Sequence, residues 1–376
     1  MNNARLGIIG AGNMGSGYIR LFRDGAIRDG ELVAVCDIDQ GKRERAKSLL
    51  PSIEVYEDYE EMLDRAGLDA VIITTPHYLH PPIAVKAMRK GLHVLSDKPA
   101  GVFTKQVRAM NEEARLHPEL VFAIMFNQRT NCIYRKMKEL VSSGELGEIK
   151  RVSWIITDWY RSQSYYDSGG WRATWKGEGG GVLLNQCPHQ LDLLTWICGL
   201  PKRVRAFCHE GKWHDIEVED DVTAYLEFPG GATGTFITTT ADAPGVNRFE
   251  IVLTKGTVKC EDGKLSLYRL DQDEREYCYT TKEGFFGPSG GFVEVKTDGR
   301  NEQHPAVINA FIEKILGKGE LIARGEEGIN SLLLSNAMYL SAWTDSTVTI
   351  PFDEDMYLAL LKRKIEESSL KEEKNV

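Results

Sequence analysis

Residues 6–19, LGIIGAGNMGSGYI, decide the fold. Gly10, Gly12 and Gly15 stand in a Gly-x-Gly-x-x-Gly spacing, which alone marks only a tight turn, because glycine punctuates loops of every kind. The flanks give it meaning. Residues 5–9 (RLGII) form an apolar run of strand length, and NMGSGYIRLFRDG then takes up a helical period that ends at Gly25. ELVAVCD follows as a β-branched strand closed by Asp37, 22 residues beyond Gly15. Strand, glycine turn, helix and distal acid together are the fingerprint of a dinucleotide-binding βαβ unit. The helix that begins near Asn13, with Met14 and Gly15 in its first turn, offers backbone N–H groups and the positive end of its dipole to a pyrophosphate. Asp37 is expected to take the adenosine ribose hydroxyls and to repel a 2′-phosphate, which favours NAD over NADP. Arg43 and Arg45 are the nearby cations that would favour the reverse.

Working outward, the alternation continues through the charged helix QGKRERAKSLL, strand DAVIITT, helix LHPPIAVKAMRKG, strand LHVLSD, helix TKQVRAMNEEARLH and strand LVFAIMF. Repeated βα units predict a parallel sheet covered on both faces, whose ligands collect at the carboxyl ends of the strands. Thr75, Pro76, Asp97, Lys98, Pro99 and Asn127 fall at such ends. Beyond about residue 130 the period changes. A helix, IYRKMKELVSSG, leads into EIKRVSWIITDWY, VTAYLEF, TGTFITTT, RFEIVLT, TVKC and LSLYRL, strand-like segments joined by short turns. The expected architecture is α/β: a Rossmann dinucleotide-binding domain over residues 1–128, then an α+β domain with a largely antiparallel sheet over 129–376. Helices near 305–316, 326–342 and 355–367 and a solvated tail, KEEKNV, close the chain.

The bulk numbers agree with a two-domain protein of 376 residues. A net charge of −9 without a basic face argues against a nucleic-acid partner. The apolar runs fall far short of the roughly 20 residues of a membrane span, and the start of the chain reads as a strand rather than an export signal, so a cytoplasmic location is expected. Seven cysteines without a Cys-x-x-Cys pair suit reduced thiols better than a disulfide framework or a zinc site.

Three stretches could carry chemistry. In SDKPAG, residues 96–101, Lys98 sits at a strand end; it is either a solvated loop lysine or a group beside the nicotinamide, where burial and the positive ring would lower its pKa. In GEGGGVLLNQCPHQLDLLTWICG, residues 177–199, Asn185, His189 and Asp192 would share one face of an unbroken helix, although Pro188 argues for a restart there. His189 is either a core histidine or the base for a substrate hydroxyl. The third stretch holds Trp154, Trp159, Tyr160, Tyr165, Tyr166, Trp171 and Trp175. Trp154 is expected in the core; the others, Tyr160 included, suit a sugar ring packed on aromatic faces, against the alternative of a plain hydrophobic cluster. His209 and His214 in CHEGKWH lack further closely spaced ligands, so no metal site is expected. His80 and His304 are further pocket candidates.

GIIGAGNMG, VIITTPHYLH, VLSDKPAG and GGGVLLNQCPHQLDLLTWICG are similar, in that order, to the successive motifs of the Gfo/Idh/MocA family, the glucose-fructose oxidoreductase and inositol dehydrogenase group. HPAVINAFIEKI through SNAMYLSAWTDSTVTIPF resembles the family's C-terminal segment, so the likeness covers nearly the whole chain. The resemblance implies a second domain whose open sheet mediates homodimers or homotetramers, and a tightly held nicotinamide cofactor. It implies Lys98 as catalytic lysine, His189 as catalytic histidine, and cofactor contacts from Thr75, Pro76, His80, Asp97 and the Trp171–Arg172 pair. Two positions depart from the family pattern. Asp97 replaces a glutamate, and Asn185 stands where many members carry an aspartate that partners the histidine; an amide cannot hold a proton as a carboxylate does, which shifts weight to Lys98. NQCPH with the aromatic loop also resembles gut-bacterial members that oxidise glycosides, including C-glycosides of plant phenolics, at the 3-hydroxyl. The expected activity is NAD-dependent hydride transfer at a ring carbinol of a sugar, glycoside or cyclitol, with Asn185 placing a substrate hydroxyl or His189. The alternatives are a redox-neutral glycoside-cleaving enzyme that recycles its NAD, and a cofactor-binding sensor without catalysis.

Overall fold

Six strands form one parallel sheet in a computed structural model that describes residues 3–369. They are β1 (Ala4–Ile9), β2 (Gly30–Cys36), β3 (Glu54–Tyr56), β4 (Ala70–Ile73), β5 (His93–Ser96) and β6 (Phe122–Ile124), in the order β3-β2-β1-β4-β5-β6. All four residues of β4 are buried, as in any parallel strand covered on both faces. Helices α1 (Asn13–Arg23), α2 (Gln40–Leu49), α3 (Tyr59–Arg65), α4 (His80–Arg89) and α5 (Thr104–Leu116) make the crossovers. Asp39 and Asp58 start α2 and α3 by accepting the N–H groups of Lys42 and Glu60 at 2.9 and 2.7 Å. The strand order reverses between β1 and β4, so the loops after those strands border a crevice at the carboxyl edge of the sheet. This is the Rossmann sheet expected from the alternation. The β3–α3 pair went unread, because EVY is too short a run to show a period.

After α6 (Cys132–Ser142) comes a nine-stranded sheet built from β7 (Ile149–Ile156), β8 (Arg203–Glu210), β9 (Glu219–Glu227), β10 (Thr233–Thr239), β11 (Asn247–Leu253), β12 (Gly256–Glu261), β13 (Lys264–Leu270), β14 (Gly290–Val293) and β15 (Val348–Thr349). The order is β14-β13-β12-β11-β7-β10-β9-β8-β15, antiparallel except where β7 meets β10. Burial alternates along β9, with Val222, Ala224 and Leu226 inward and Thr223 and Tyr225 outward, the pattern of a sheet covered on one face. Trp154 is fully buried, stacks on Phe249 of β11 at 4.0 Å and meets Phe236 of β10 edge-on at 6.3 Å. A short helix, α7 (Gln163–Asp167), lies in the aromatic loop, and α8 (Pro188–Cys198) follows a π-helical turn over Val182–Gln186. The break expected at Pro188 is there, with the proline in the first turn of α8. His189 and Asp192 therefore share α8, while Asn185 belongs to the turn before it. The remaining helices are α9 (Glu274–Thr280), α10 (Gln303–Ile315), α11 (Gly328–Trp343) and α12 (Glu354–Glu367).

The chain divides into two units. One runs to Thr130 and resumes at Glu302–Leu332; the other is Asn131–Asn301, continued from Leu333. Residues 302–332, assigned from sequence to the second domain, belong to the first. The reason is burial: Val307, Ile308, Phe311 and Ile312 of α10 complete the core formed by Leu6, Ile8, Ile19 and Ile72. Arg324 then bridges to Ala123 on β6, the edge strand of the parallel sheet, and Glu327 pairs with the buried Arg129 at 2.6 Å. Among the described residues no helix is long and apolar enough to cross a membrane, and no disulfide joins the cysteines. The KEEKNV tail lies outside the described residues.

Candidate active site

The glycine turn is built so that one of its three glycines faces open space. Gly10 has φ +98°, and a Cβ there would lie 2.8 Å from the Thr74 carbonyl. A Cβ on Gly15 would lie 1.9 Å from the Gly10 oxygen, so α1 packs directly on the turn. A Cβ on Gly12 would meet nothing within 4 Å. Gly12 precedes a helix with no side-chain cap and no acid in its first turn. The first ladder bond runs from Ser16 N–H to Gly12 O at 2.8 Å, so the N–H groups of Asn13, Met14 and Gly15 come before it. This open cradle of donors at the positive end of a helix fits a pyrophosphate. Beside it, Asp37 accepts Ala11 N–H at 2.7 Å and Asp39 N–H at 2.9 Å. Those bonds pin the carboxylate and leave lone pairs for ribose hydroxyls. Arg43 is committed elsewhere, donating to the carbonyls of Asp37 and Ile38 and to the Glu57 carboxylate, and Arg45 is exposed on α2.

The loops after β4, β5 and β6 bring the next groups. Thr74 Oγ1 donates to Gly10 O at 2.6 Å and braces the glycine turn. Thr75 Oγ1 and Asn127 Oδ1 are buried without a hydrogen-bond partner among the described residues, which suits atoms that a bound group would satisfy. With the cradle and Asp37 they fit a nicotinamide dinucleotide. Pro76 is exposed and opens the turn over His77–Leu79. His80 stands between two loops: its Nδ1 lies 2.8 Å from Pro99 O and its Nε2 2.7 Å from Thr75 O, and a neutral ring donates to one of these two carbonyls. Burial holds its pKa below the ordinary imidazole value, against the pull of those carbonyls.

Asp97 is also used by the chain itself. It accepts the Lys98 N–H at 2.7 Å and the Tyr18 hydroxyl at 3.1 Å, which fixes the backbone from which the half-buried Lys98 projects. Burial, reinforced by Asp97, raises the Tyr18 pKa well above its usual value. The Tyr18 ring lies 5.6 Å from that of His304, whose pKa burial lowers while Asp97 opposes the shift.

In the second unit the aromatic residues divide. Trp154, Tyr166 and Trp175 are core, whereas Tyr160 is 54% exposed. The Arg161 guanidinium lies over Trp159 and Tyr165 at 5.5 and 5.0 Å, and that of Arg172 over Tyr165 and Trp171 at 5.0 and 4.7 Å. Tyr165 Oη accepts from Arg172 Nη1 at 3.1 Å and from Asn185 Nδ2 and Gln186 Nε2 at 3.3 Å each. The result is a wall of π faces and cationic donors. Asn185 Nδ2 also donates to the buried carboxylate of Glu178, whose other oxygen accepts Ala173 N–H at 2.6 Å. His189 is buried in the first turn of α8. Glu219, fully buried, accepts Gly181 N–H, Leu183 N–H and the Tyr339 hydroxyl at 2.9, 2.8 and 2.7 Å, anchoring the glycine run that leads to Asn185. Burial pushes its carboxyl up to about 8 against those bonds.

His214 is a brace, with Nδ1 2.8 Å from Asp220 and Nε2 2.9 Å from Arg161 O. Among the described residues no group of three or more His, Cys, Asp or Glu side chains is placed to hold a metal ion. Sequence reading passed over Tyr18, Glu178, Glu219 and Gln303. Tyr18 carried a signal, because a tyrosine on the buried stripe of α1 needs a hydrogen-bond partner. Gln303 carried none: its Oε1 receives Asn127 Nδ2 from far along the chain.

Residues 4–124 match the family model for an oxidoreductase family with an NAD-binding Rossmann fold, and residues 134–259 match that for the GFO/IDH/MocA C-terminal domain. The chain is 26% identical over 363 residues to D-glucoside 3-dehydrogenase of Escherichia coli K12, covering 92% of this chain and 97% of that protein. It is 29% identical over 202 residues to inositol 2-dehydrogenase of Leifsonia xyli subsp. xyli, covering 52% of this chain and 54% of that one. The WlbA dehydrogenase of Chromobacterium violaceum, solved in complex with NADH and UDP-GlcNAcA, is similar with a TM-score of 0.81 at 26% identity, covering 94% of this chain and 97% of that chain. The first domain is an NAD-binding Rossmann domain, and the chain belongs to the Gfo/Idh/MocA family of oxidoreductases.

Proposed function

We propose that this protein oxidises a ring carbinol of a sugar, glycoside or cyclitol, with C3 of a glucoside as the leading position. The observation that carries this reading is Lys98. It lies two residues beyond β5, at the carboxyl edge of the sheet, where β5 pairs with β4, whose following loop braces the glycine turn, and its backbone is held by Asp97. The match to a glucoside 3-dehydrogenase over nearly its full length supports the position on the ring. The inositol dehydrogenase relative supports a hydroxylated six-membered ring more broadly.

Turning a carbinol into a ketone requires the C–H electron pair to leave as hydride and the O–H proton to leave to a base. NAD, when bound, supplies the hydride acceptor at C4 of its nicotinamide. The chain supplies the rest. Lys98 or His189 removes the hydroxyl proton, and the same group returns it in the reverse direction. Where His189 is the base, the Lys98 ammonium stabilises the oxygen as negative charge develops on it; where Lys98 is the base, it acts as the neutral amine and stabilises the oxygen through the N–H it gains. Asn185 orients a substrate hydroxyl or His189, Tyr160 packs on the sugar, and Trp171 with Arg172 contacts the cofactor.

The test is the near-ultraviolet absorbance of NADH, recorded on the purified protein before and after adding cyclitols, free sugars, and O- and C-glycosides. A rise with a carbohydrate or cyclitol is expected, and Lys98→Met is expected to abolish it while leaving NAD bound. Normal turnover by that variant refutes the assignment of Lys98.

A further inference from the structure

We infer that Glu178 is the positioning residue of the substrate site: it turns the Asn185 amide so that the oxygen is presented and the nitrogen withheld, and the two residues form a carboxylate–amide pair exchangeable only as a unit. This rests on the proposed function in one respect, that Asn185 orients a substrate hydroxyl or His189.

Glu178 is 2% exposed and sits at the head of the glycine run 179–181. Its own N–H reaches Thr174 O at 2.9 Å, and one carboxylate oxygen accepts Ala173 N–H at 2.6 Å. The other oxygen receives Asn185 Nδ2. A carboxylate accepts hydrogen bonds and cannot donate them, so the side of the amide turned toward it has to be the NH2 group. Asn185 Nδ2 also reaches Tyr165 Oη at 3.3 Å; a hydroxyl can accept or donate, so this contact is compatible with the orientation that the Glu178 carboxylate sets. Because the amide is planar, fixing its nitrogen on Glu178 fixes Oδ1 on the opposite side. What the turn before α8 offers is therefore a neutral acceptor, suited to a hydroxyl of the substrate or an N–H of His189.

The pairing also explains why an amide stands at 185. An aspartate there would set two carboxylates in contact in a buried place, and one of them would have to hold a proton. The acceptor is kept, and the second charge is avoided.

The experiment compares four NAD-loaded proteins: wild type, Glu178→Gln, Asn185→Asp and the double variant. In the double variant the introduced glutamine amide can accept Ala173 N–H while donating to the introduced aspartate, so the pair is rebuilt with its members exchanged. Each single variant is expected to lose kcat/KM by about 10- to 100-fold, the scale of one charge-assisted hydrogen bond, and the double variant to recover to within about fivefold of wild type. Unfolding temperature is read on all four, and the single variants are expected to lose stability that the double regains. If Glu178→Gln stays within about threefold of wild type, or if the double is no better than the poorer single, the inference is overturned. Single variants that unfold earlier but turn over normally while folded also overturn it, since Glu178 would then be only structural. If wild type makes no NADH from any carbohydrate or cyclitol, the proposed function fails, and the pair is judged on unfolding alone: regained stability in the double supports the exchangeable unit, and its absence refutes it.

Discussion

Gly12→Ala separates cofactor binding from folding, because the three glycines of the turn have different neighbours. A Cβ at Gly12 meets nothing within 4 Å, whereas one at Gly15 lies 1.9 Å from a backbone oxygen. At φ −65° Gly12 already adopts a φ open to alanine. The weaker cap costs up to about 1 kcal/mol, offset by about 0.4–1 kcal/mol from the stiffer unfolded chain. The folded protein should thus be nearly as stable as wild type. The methyl group, however, fills the cradle before Asn13, Met14 and Gly15. Losing one charge-assisted bond to the pyrophosphate costs about 1.5–3 kcal/mol, or about 10- to 150-fold in Kd. Calorimetric titration with NAD gives Kd directly, and unfolding with and without NAD gives a second readout. With NAD at about 100 times the wild-type Kd, wild type gains about 2.7 kcal/mol, and a variant bound about 100-fold more weakly gains only about 0.4 kcal/mol. Gly15→Ala is the control. It should lose stability without NAD by at least about 1–3 kcal/mol, because backbone must move. If Gly12→Ala binds NAD within about threefold of wild type, the pyrophosphate does not cross Gly12, and the reading of the turn is wrong.

Two further outcomes follow from the site. Burial holds His304 below its ordinary pKa of 6.5, so the unfolded chain takes up the proton first as pH falls; the stability is present above about pH 6.5 and is lost on acidification through the folded pKa. His304→Asn should make the decline of unfolding free energy with falling pH shallower, by at most about 1.4 kcal/mol per pH unit, and an unchanged slope would contradict the assignment. Tyr165→Phe removes the acceptor shared by Arg172, Asn185 and Gln186, and should cost about 1–3 kcal/mol of stability with a raised KM for the carbohydrate; a variant as stable and as active as wild type would show that the three donors have other acceptors.

The parts legible in the sequence were those set by neighbours along the chain. The glycine turn, Asp37 and the strand ends bearing Thr75, Asp97, Lys98 and Asn127 all follow from local period and spacing. The restart at Pro188 followed from one residue's missing N–H. What stayed hidden depends on distant segments. α10 reads as an ordinary apolar helix, and nothing local says that Phe311 and Ile312 join a core begun by Leu6 and Ile8. The place of His80 was not visible either: its ring lies between two backbone carbonyls, one of them on the β5 loop. Glu178 and Asn185 lie close in sequence, but Glu178 precedes the glycine run and Asn185 lies within the π-helical turn, so no single regular period spans the pair.

The late arrival of α10 has a consequence for synthesis. When Thr130 leaves the ribosome all six strands of the parallel sheet exist, but the apolar surface that Val307, Ile308, Phe311 and Ile312 will cover is still bare. The whole of segment 131–301 has to be translated first, a delay on the order of 10–40 s at usual elongation rates. During that interval the nascent first half carries an uncovered hydrophobic face and an open strand edge at β6, the features that chaperones bind and aggregates exploit. A gene truncated after the parallel sheet therefore encodes an incomplete module, and the smallest fragment that closes this core must carry residues 302–332, supplied in the same chain or added as a separate piece.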